Sequence, residues 1–206
     1  MKKSALLLTL VFVAGCSSSA TPALTAPDST PPSPGPAAVS GAGQSAVPVE
    51  KNPPGDIPDN VAYVAYTNAV GKYTFTHPEG WAEATKGSAV TYTDKLNGVQ
   101  VWLGKLTTAP TVDSAKQQDV PALRSSQAAF ELRTVAAATL PAGTGVRIVY
   151  RRNSAPDPVT GRQYRDEVER YELVSHQREV IVELFGAVGS DNVDAYKTMI
   201  TSLRLS

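Results

Sequence analysis

The fold is decided by residues 163–185, which read QYRDEVERYELVSHQREVIVELF. Residues 163–174 and 179–185 are rich in Val, Leu, Ile, Tyr and Phe, and charged residues are interleaved with them, which is typical of half-buried strands. Gln177-Arg178 lies between the two runs and predicts a turn. Because two strands joined by a short turn run in opposite directions, residues 163–185 predict an antiparallel hairpin.

More strands are predicted on the N-terminal side of this hairpin. In residues 145–152, Val146, Ile148 and Tyr150 alternate with other residues and lie on one face. Residues 94–98 predict a turn before another strand, and the Asn97-Gly98 pair within it favours a tight hairpin. The residues predicted as strands on this side are 61–66, 72–76, 89–93, 99–106, 130–140 and 145–152. Of these, 61–66 is either a first short strand or an ordered lead-in, and 130–140 is ambiguous because its alanines also fit a helix.

Two helices complete the predicted fold. Residues 113–127 have a narrow apolar face and predict a helix, and Pro121 predicts an interruption before it. Residues 193–203 have apolar side chains at helical spacing, and Ser190-Asp191-Asn192 predicts the cap before them. Because hairpin connections dominate, the sequence predicts an α+β domain with a mainly antiparallel sheet flanked by helices.

The N-terminus predicts export and a lipid anchor. Lys2-Lys3 precede an apolar run at 5–14, which is shorter than the roughly 20 residues of a membrane-spanning helix. Val13-Ala14-Gly15-Cys16 resembles the bacterial lipobox, in which a diacylglyceryl group is attached to the cysteine. We therefore expect a lipoprotein signal peptide at 1–15 and lipid attachment at Cys16. An ordinary secretory signal and a short core helix are the alternatives.

The segment 16–58 contains no aromatic residue, little charge and ten of the sixteen prolines. Such a composition buries too little apolar surface to offset the entropy of ordering, so it predicts a disordered tether. The folded domain is then expected at 59–206.

The overall charge makes some partner classes improbable on physical grounds. The chain has 19 basic and 19 acidic residues, so its formal net charge is zero. A nucleic-acid-binding protein usually has a basic stripe, and no polybasic patch flanks Cys16 to bind anionic lipids. We expect contact with the membrane through acyl chains on Cys16, no nucleic-acid partner and no cofactor.

No catalytic motif is present in the sequence. His77 and His176 are each expected in an exposed turn. Asp191, Asn192 and Asp194 suggest calcium ligands, but a helix cap followed by an acidic first turn explains the same residues. The sequence therefore predicts no catalytic or metal site.

Opposite charges recur on the predicted strands. Arg147 and Arg151 lie on one face of their strand, and Glu167 and Glu169 occur on the next strand. They form either a charged recognition surface or ordinary cross-strand ion pairs on a solvated face, and the second interpretation is favoured.

Several of these features resemble a known family. A strand that ends in Pro78-Glu79-Gly80-Trp81, the succession of hairpins and helices, and a terminal helix before Leu205 resemble the PsbP-like domain. The stretches at 170–173 and 189–194 are similar to actinobacterial probable lipoproteins that carry such a domain behind an acylated cysteine. The resemblance implies an α/β/α sandwich that is used for protein contacts.

Three functions are compatible with the sequence. The first is a lipid-anchored, non-enzymatic binding or scaffold module on the extracytoplasmic face of the cell membrane, with an envelope protein as its partner. The second is a carrier whose apolar ligand is lined by Trp81, Trp102 and Phe185. The third is an envelope hydrolase with a dispersed site, for which a histidine beside a carboxylate or serine in a pocket would be the sign.

Overall fold

The computed structural model describes residues 43–51 and 55–206. These residues belong to one compact unit. The predicted signal peptide at 1–15 and the predicted lipid attachment site, Cys16, lie outside the described residues. None of the described helices is both long and apolar enough to cross a bilayer.

The described residues form ten strands and three helices. The strands are β1 (Tyr63–Asn68), β2 (Tyr73–Pro78), β3 (Ala82–Lys86), β4 (Ala89–Asp94), β5 (Asn97–Leu103), β6 (Glu131–Leu140), β7 (Gly143–Asn153), β8 (Arg165–Ser175), β9 (Arg178–Ala187) and β10 (Arg204–Leu205). The helices are α1 (Val112–Gln117), α2 (Asp119–Ser126) and α3 (Val193–Ser202).

The strands form two sheets in which every pairing is antiparallel. The large sheet has the order β3-β4-β5-β9-β8-β7-β6, and the small sheet has the order β1-β2-β10. The hairpin predicted at residues 163–185 is β8–β9, at the middle of the large sheet. The predicted α+β class with a mainly antiparallel sheet is confirmed.

Each face of the large sheet has its own apolar core. The first core lies on one face, where Val99, Leu173 and Leu184 pack with β2 and with Met199 of α3. The second core lies on the other face, where side chains of β7 and β8 pack with side chains of α1 and α2. These residues are Val146, Ile148, Tyr150 and Val168 of the strands and Ala115, Val120 and Leu123 of the helices. Burial of such side chains contributes about 1.5–3 kcal/mol each, so both faces hold their helices by apolar contact.

The turn predicted at 94–98 is present, but it is shorter and does not use the Asn97-Gly98 pair. The β4–β5 turn consists of Lys95 and Leu96, and Lys95 has the left-handed φ of 51° that a tight turn requires. Asn97 belongs to β5, where its buried side chain accepts a hydrogen bond from Asn192 at 2.9 Å. A tertiary contact of this kind leaves no signal in the local sequence.

The interruption that the sequence predicted before Pro121 is confirmed. The chain breaks at Gln118, and Pro121 is the third residue of α2. The first turn of a helix has no intrahelical acceptors for its N–H groups, so a proline there costs no hydrogen bond.

The sequence did not predict β3. All five residues of β3 are exposed, so the strand lacks the apolar alternation by which strands are recognised.

The described part of the segment 43–58 contacts the folded domain, where the sequence predicted a disordered tether for 16–58. The N–H of Val47 donates to Asn153 Oδ1 at 3.0 Å, and Asn153 Nδ2 donates to the Ser45 carbonyl at 2.8 Å. The N–H of Ile57 donates to Asn192 Oδ1 at 2.8 Å, and the Ile57 side chain is buried in the first core. We call residues 43–51 and 55–58 the lead-in segment; the remainder of the predicted tether lies outside the described residues.

Candidate functional site

Five charged side chains lie on the face of the large sheet that α1 and α2 cover. We call this group the charge cluster: Arg152, Asp166, Arg170, Glu172 and Glu183. Alternation along β7, β8 and β9 points them to the same face as Ile148 and Val168. Glu172 is only 1% exposed and Glu183 only 4%. Buried charges are rare unless they are paired, so this cluster is the least ordinary feature of the described fold.

Arg170 is the centre of the charge cluster. Its Nε donates to Glu172 Oε1 at 2.6 Å and its Nη1 donates to Glu183 Oε1 at 2.9 Å. The hydroxyl of Tyr150 donates to the same Glu183 oxygen at 2.9 Å. The guanidinium also lies 5.1 Å from the ring centroid of Trp102, a cation–π distance. Arg170 therefore neutralises two buried carboxylates and is itself held in one position.

Arg152 extends the charge cluster towards α2. It lies 3.5 Å from Glu183 Oε2 and 3.9 Å from Asp166 Oδ2. Its Nη1 donates to the side-chain oxygen of Gln127, the residue that ends α2, at 3.0 Å. The cluster thus ties three strands to the end of a helix.

A cleft of about 330 Å³ opens beside the charge cluster. Its floor includes Arg170, Glu172 and Ile181 of β8 and β9, and its walls are the β5–α1 loop (residues 104–111) and the adjoining ends of α1 and α2. The remaining lining residues are Lys105, Leu106, Thr108, Ala109, Pro110, Ser114, Gln118, Asp119 and Glu179. Both charged and apolar groups therefore face the same opening, which we call the loop cleft.

The wall of the loop cleft is fixed to the sheet by Glu179. Glu179 Oε2 accepts hydrogen bonds from the backbone N–H groups of Lys105 at 2.7 Å and Leu106 at 2.9 Å. A Cβ at Gly104 would lie 1.7 Å from that carboxylate oxygen, so any other residue there would displace the Glu179 side chain. At the other end of the loop, the Thr111 hydroxyl accepts from the Ser114 N–H and starts α1. The cleft is therefore largely preformed.

Burial changes the acidity of two carboxyl groups in the charge cluster. Desolvation raises the pKa of Asp166 to about 7, although Arg152 and Arg165 oppose the shift. Desolvation also raises the pKa of Glu172 against the effect of Arg170, and the charges of Asp119 and Glu179 add to the rise. A carboxyl group with a raised pKa at the floor of a cleft marks a candidate functional site.

The raised pKa of Asp166 predicts a pH dependence of stability. Between about pH 4 and 7 the folded chain binds a proton at Asp166 that the unfolded chain does not bind, so this carboxyl group lowers stability as pH rises from about 4 to 7, and its effect levels off above 7. We expect urea unfolding to show this contribution of Asp166 as a loss between about pH 4 and 7 with a slope of at most about 1.4 kcal/mol per pH unit. Asp166→Asn should abolish this slope, and the exposed control Asp157→Asn should retain it. An unchanged slope in Asp166→Asn would contradict the assignment.

The predicted cross-strand ion pairs are confirmed, and they lie on the opposite face of the sheet from the charge cluster. Arg147 Nε donates to Glu169 Oε2 at 3.0 Å, and Arg151 Nε donates to Glu167 Oε2 at 2.9 Å. All four side chains are partly exposed to solvent. They are the ordinary ion pairs of a solvated face, as the sequence favoured.

The helix cap predicted from Ser190 and Asp191 is wrong in its details. Asn192 is the residue before α3, and its side chain makes no capping hydrogen bond because it binds Ile57 and Asn97 instead. Asp194 lies in the first turn, as predicted. Among the described residues, no group of three or more His, Cys, Asp and Glu side chains is arranged to hold a metal ion.

The two histidines differ in their environment. His176 is exposed in the β8–β9 turn, as predicted. The prediction for His77 is wrong: it is 6% exposed, and its ring stacks on Tyr92 with 3.6 Å between centroids. His77 falls on the same face of β2 as Tyr73 and Phe75, and burial lowers its pKa. His77 therefore acts as part of the aromatic core.

The aromatic residues proposed to line a carrier pocket are not brought together. Trp81 packs against the first core, Phe185 packs against the second core, and Trp102 lies beneath Arg170. Between the sheet and α3, the side chains of Phe75, Val101 and Ile200 and their neighbours leave no room even for a water molecule. The described residues thus fill the space in which the sequence placed an apolar ligand.

The sequence reasoning missed the charge cluster. The available signal was that Arg170 and Glu172 alternate with apolar residues on a strand that the flanking strands place in the middle of a sheet. A charged residue on a central strand is buried if a helix covers that face, but the sequence did not show which face α1 and α2 would cover. The loop cleft depends on that same packing.

Comparison with known proteins shows likeness at the level of structure. No family model and no curated protein sequence matches the chain. Similar solved structures include cyanobacterial PsbP (CyanoP) from Synechocystis, with 15% identity and a TM-score of 0.47 over 74% of this chain and 98% of that chain. The Ran-binding protein Mog1p of Saccharomyces cerevisiae has 9% identity and a TM-score of 0.43 over 70% and 95%.

A third similar structure, a protein of Bacteroides thetaiotaomicron, has 10% identity and a TM-score of 0.42 over 69% of this chain and 48% of that chain. At these identities the likeness concerns the fold alone.

Proposed function

We propose that this chain is a lipid-anchored lipoprotein whose domain is a non-catalytic binding module on the extracytoplasmic face of the cell membrane. The anchor is supported by the lipobox-like Val13-Ala14-Gly15-Cys16 behind a short apolar run. An envelope protein is the proposed partner, and it binds in the loop cleft.

The observation that carries the binding function is the geometry of the loop cleft. Ligand sites are concave, largely preformed and lined by apolar surface with a few fixed polar groups. The loop cleft has this character, since Leu106, Pro110 and Ile181 face it together with charged groups. Glu179 holds the wall in place through two backbone hydrogen bonds.

Binding suits the charged groups better than proton transfer does. Glu183 is engaged by both arginines and by the Tyr150 hydroxyl, and Glu172 is engaged by Arg170. A general base needs a lone pair that is free to take a proton, and an arginine does not release one at ordinary pH. The described residues that line the cleft include neither histidine nor cysteine. Fixed charges of this kind favour recognition of a partner.

The test uses the full-length chain in its native membrane with a photoreactive residue at Leu106, at the edge of the loop cleft. Leu106 is 41% exposed, and Val159, which is 90% exposed in a different loop, is the matched control position. We expect mass spectrometry to show a chain that begins at Cys16 with acyl groups attached, and a protein adduct from position 106 but not from 159.

Each part of the proposal has its own contradicting outcome. An unacylated chain, or a Cys16→Ala variant that stays in the membrane, would disprove the anchor. Equal labelling from positions 106 and 159, or no labelling from either, would disprove binding in the loop cleft.

A further inference from the structure

The two edges of the large sheet differ in how they are protected against pairing. β3 has only five residues, and two of them, Glu83 and Lys86, are charged. β6 has ten residues, and its stretch 134–140, TVAAATL, carries no charge. Natural proteins usually protect edge strands by charge, proline, bulges or short length, because a free edge pairs with other strands. Only β3 is protected in this way along its whole length.

The edge of β6 is open along the residues without charge. β6 pairs with β7 on one side and with no strand on the other side in the described part of the chain. Ala136 and Ala137 at its middle are exposed. The irregularity of β6 lies between Leu132 and Thr134, and Pro141 follows the strand, so both interruptions fall outside residues 134–140.

The β6–β7 turn determines which backbone groups face outwards. Leu140 pairs with Gly143 across a two-residue turn, and in such a pair the N–H of each residue bonds to the C=O of the other. In an antiparallel ladder every second residue along a strand forms such a hydrogen-bonded pair. The residues between them point their N–H and C=O groups away from the partner strand. Val135, Ala137 and Thr139 therefore present these groups at the open edge.

We infer that β6 is the contact between two copies of this chain, which pair edge to edge about a two-fold axis at Ala137. In this register Ala137 faces Ala137 of the second copy, and Val135 faces Thr139. Thr139 likewise faces Val135 of the second copy. In these three pairs every outward N–H meets an outward C=O. The inference goes beyond the proposed function and does not depend on the anchor or on the loop cleft.

The sequence of β6 fits a second copy of the same strand. A two-fold interface brings the same surface of both chains together, so each side chain must tolerate its symmetry partner. The closest approaches, at the pairs without hydrogen bonds, join Ala136 to Ala138, which are both small. The charged residue next to this stretch, Arg133, would face Pro141 rather than another charge. No like charges are opposed anywhere in the register.

The test compares the oligomeric state of three full-length chains in detergent: wild type, Ala137→Lys and Ala137→Glu. We expect sedimentation to show a concentration-dependent dimer of the wild type. Each variant alone should dimerise at least about tenfold more weakly, because two like charges would lie opposite each other at the axis. An equimolar mixture of Ala137→Lys and Ala137→Glu should recover the dimer, since opposite charges then meet.

The matched control is Ala84→Lys, which places the same substitution at the middle of the other edge strand, β3, where all residues are exposed. It should leave the dimer unchanged. A wild type that stays monomeric, a dimer that survives Ala137→Lys, a mixture that does not recover it, or a loss of the dimer in Ala84→Lys would each overturn the inference. Urea unfolding of every variant shows whether the chain remains folded.

Discussion

Arg170→Ala is expected to lower the free energy of unfolding by about 3–5 kcal/mol, because it leaves the buried Glu172 without its cation and Glu183 with only the more distant Arg152. Arg170 donates to both Glu172 and Glu183, and these two side chains are almost fully inaccessible to solvent. The truncation also removes the contact of the guanidinium with Trp102. Urea unfolding of wild type and variant at one pH measures the difference.

The control for this prediction is Arg151→Ala. Arg151 pairs with Glu167 at 2.9 Å, but both side chains are partly exposed, so the expected loss is at most about 1 kcal/mol. If buried carboxylates cause the loss in Arg170→Ala, adding Glu183→Gln should restore part of it. If Arg170→Ala and Arg151→Ala lowered the free energy of unfolding equally, burial would not determine how much the charge cluster contributes to stability.

Asn192→Ala should destabilise the fold by about 2–4 kcal/mol, because two buried polar groups lose their partners. The Asn192 amide oxygen accepts the Ile57 N–H, and its amide nitrogen donates to Asn97 Oδ1. The first of these bonds holds the lead-in segment, so limited proteolysis should cut near residues 55–58 faster in the variant. Unfolding experiments and mass spectrometry of the fragments measure the two effects.

Ser190→Ala is a matched control two residues away. The Ser190 hydroxyl is buried and has no hydrogen-bond partner among the described residues, so its removal should change stability by no more than about 0.5 kcal/mol. Proteolysis at 55–58 should stay at the wild-type rate. If Ser190→Ala and Asn192→Ala behaved alike, the lead-in segment would not depend on the Asn192 side chain.

The strands were predictable where burial on a single face imposes alternation. Residues 145–152 show this, because Val146, Ile148 and Tyr150 meet one set of helices. The pattern fails for β3, whose side chains meet no core. It also fails for Asn97, because a residue with turn chemistry lies in a strand when a distant partner, here Asn192, binds its side chain.

The candidate site was not predictable for a related reason. Nothing local distinguishes Glu172, which is buried beside Arg170, from Glu167, which is half exposed beside Arg151. The two glutamates lie on the same strand but on opposite faces. Which face receives α1 and α2 is decided by the whole chain, so the charge cluster and the loop cleft emerge only in three dimensions.

The contacts of the lead-in segment change how far the domain can move from an attachment point at Cys16. The sequence predicts a flexible chain of 42 residues at 17–58, whereas the segment begins to contact the domain soon after residue 42. If Cys16 carries the proposed lipid, the chain predicted to be flexible would shorten to the 26 residues 17–42, with a root-mean-square span of about 28 Å against about 36 Å for the longer chain. Since the accessible volume scales with the cube of that span, the domain would search about half the space. Its local concentration at a membrane partner would then be about twice as high.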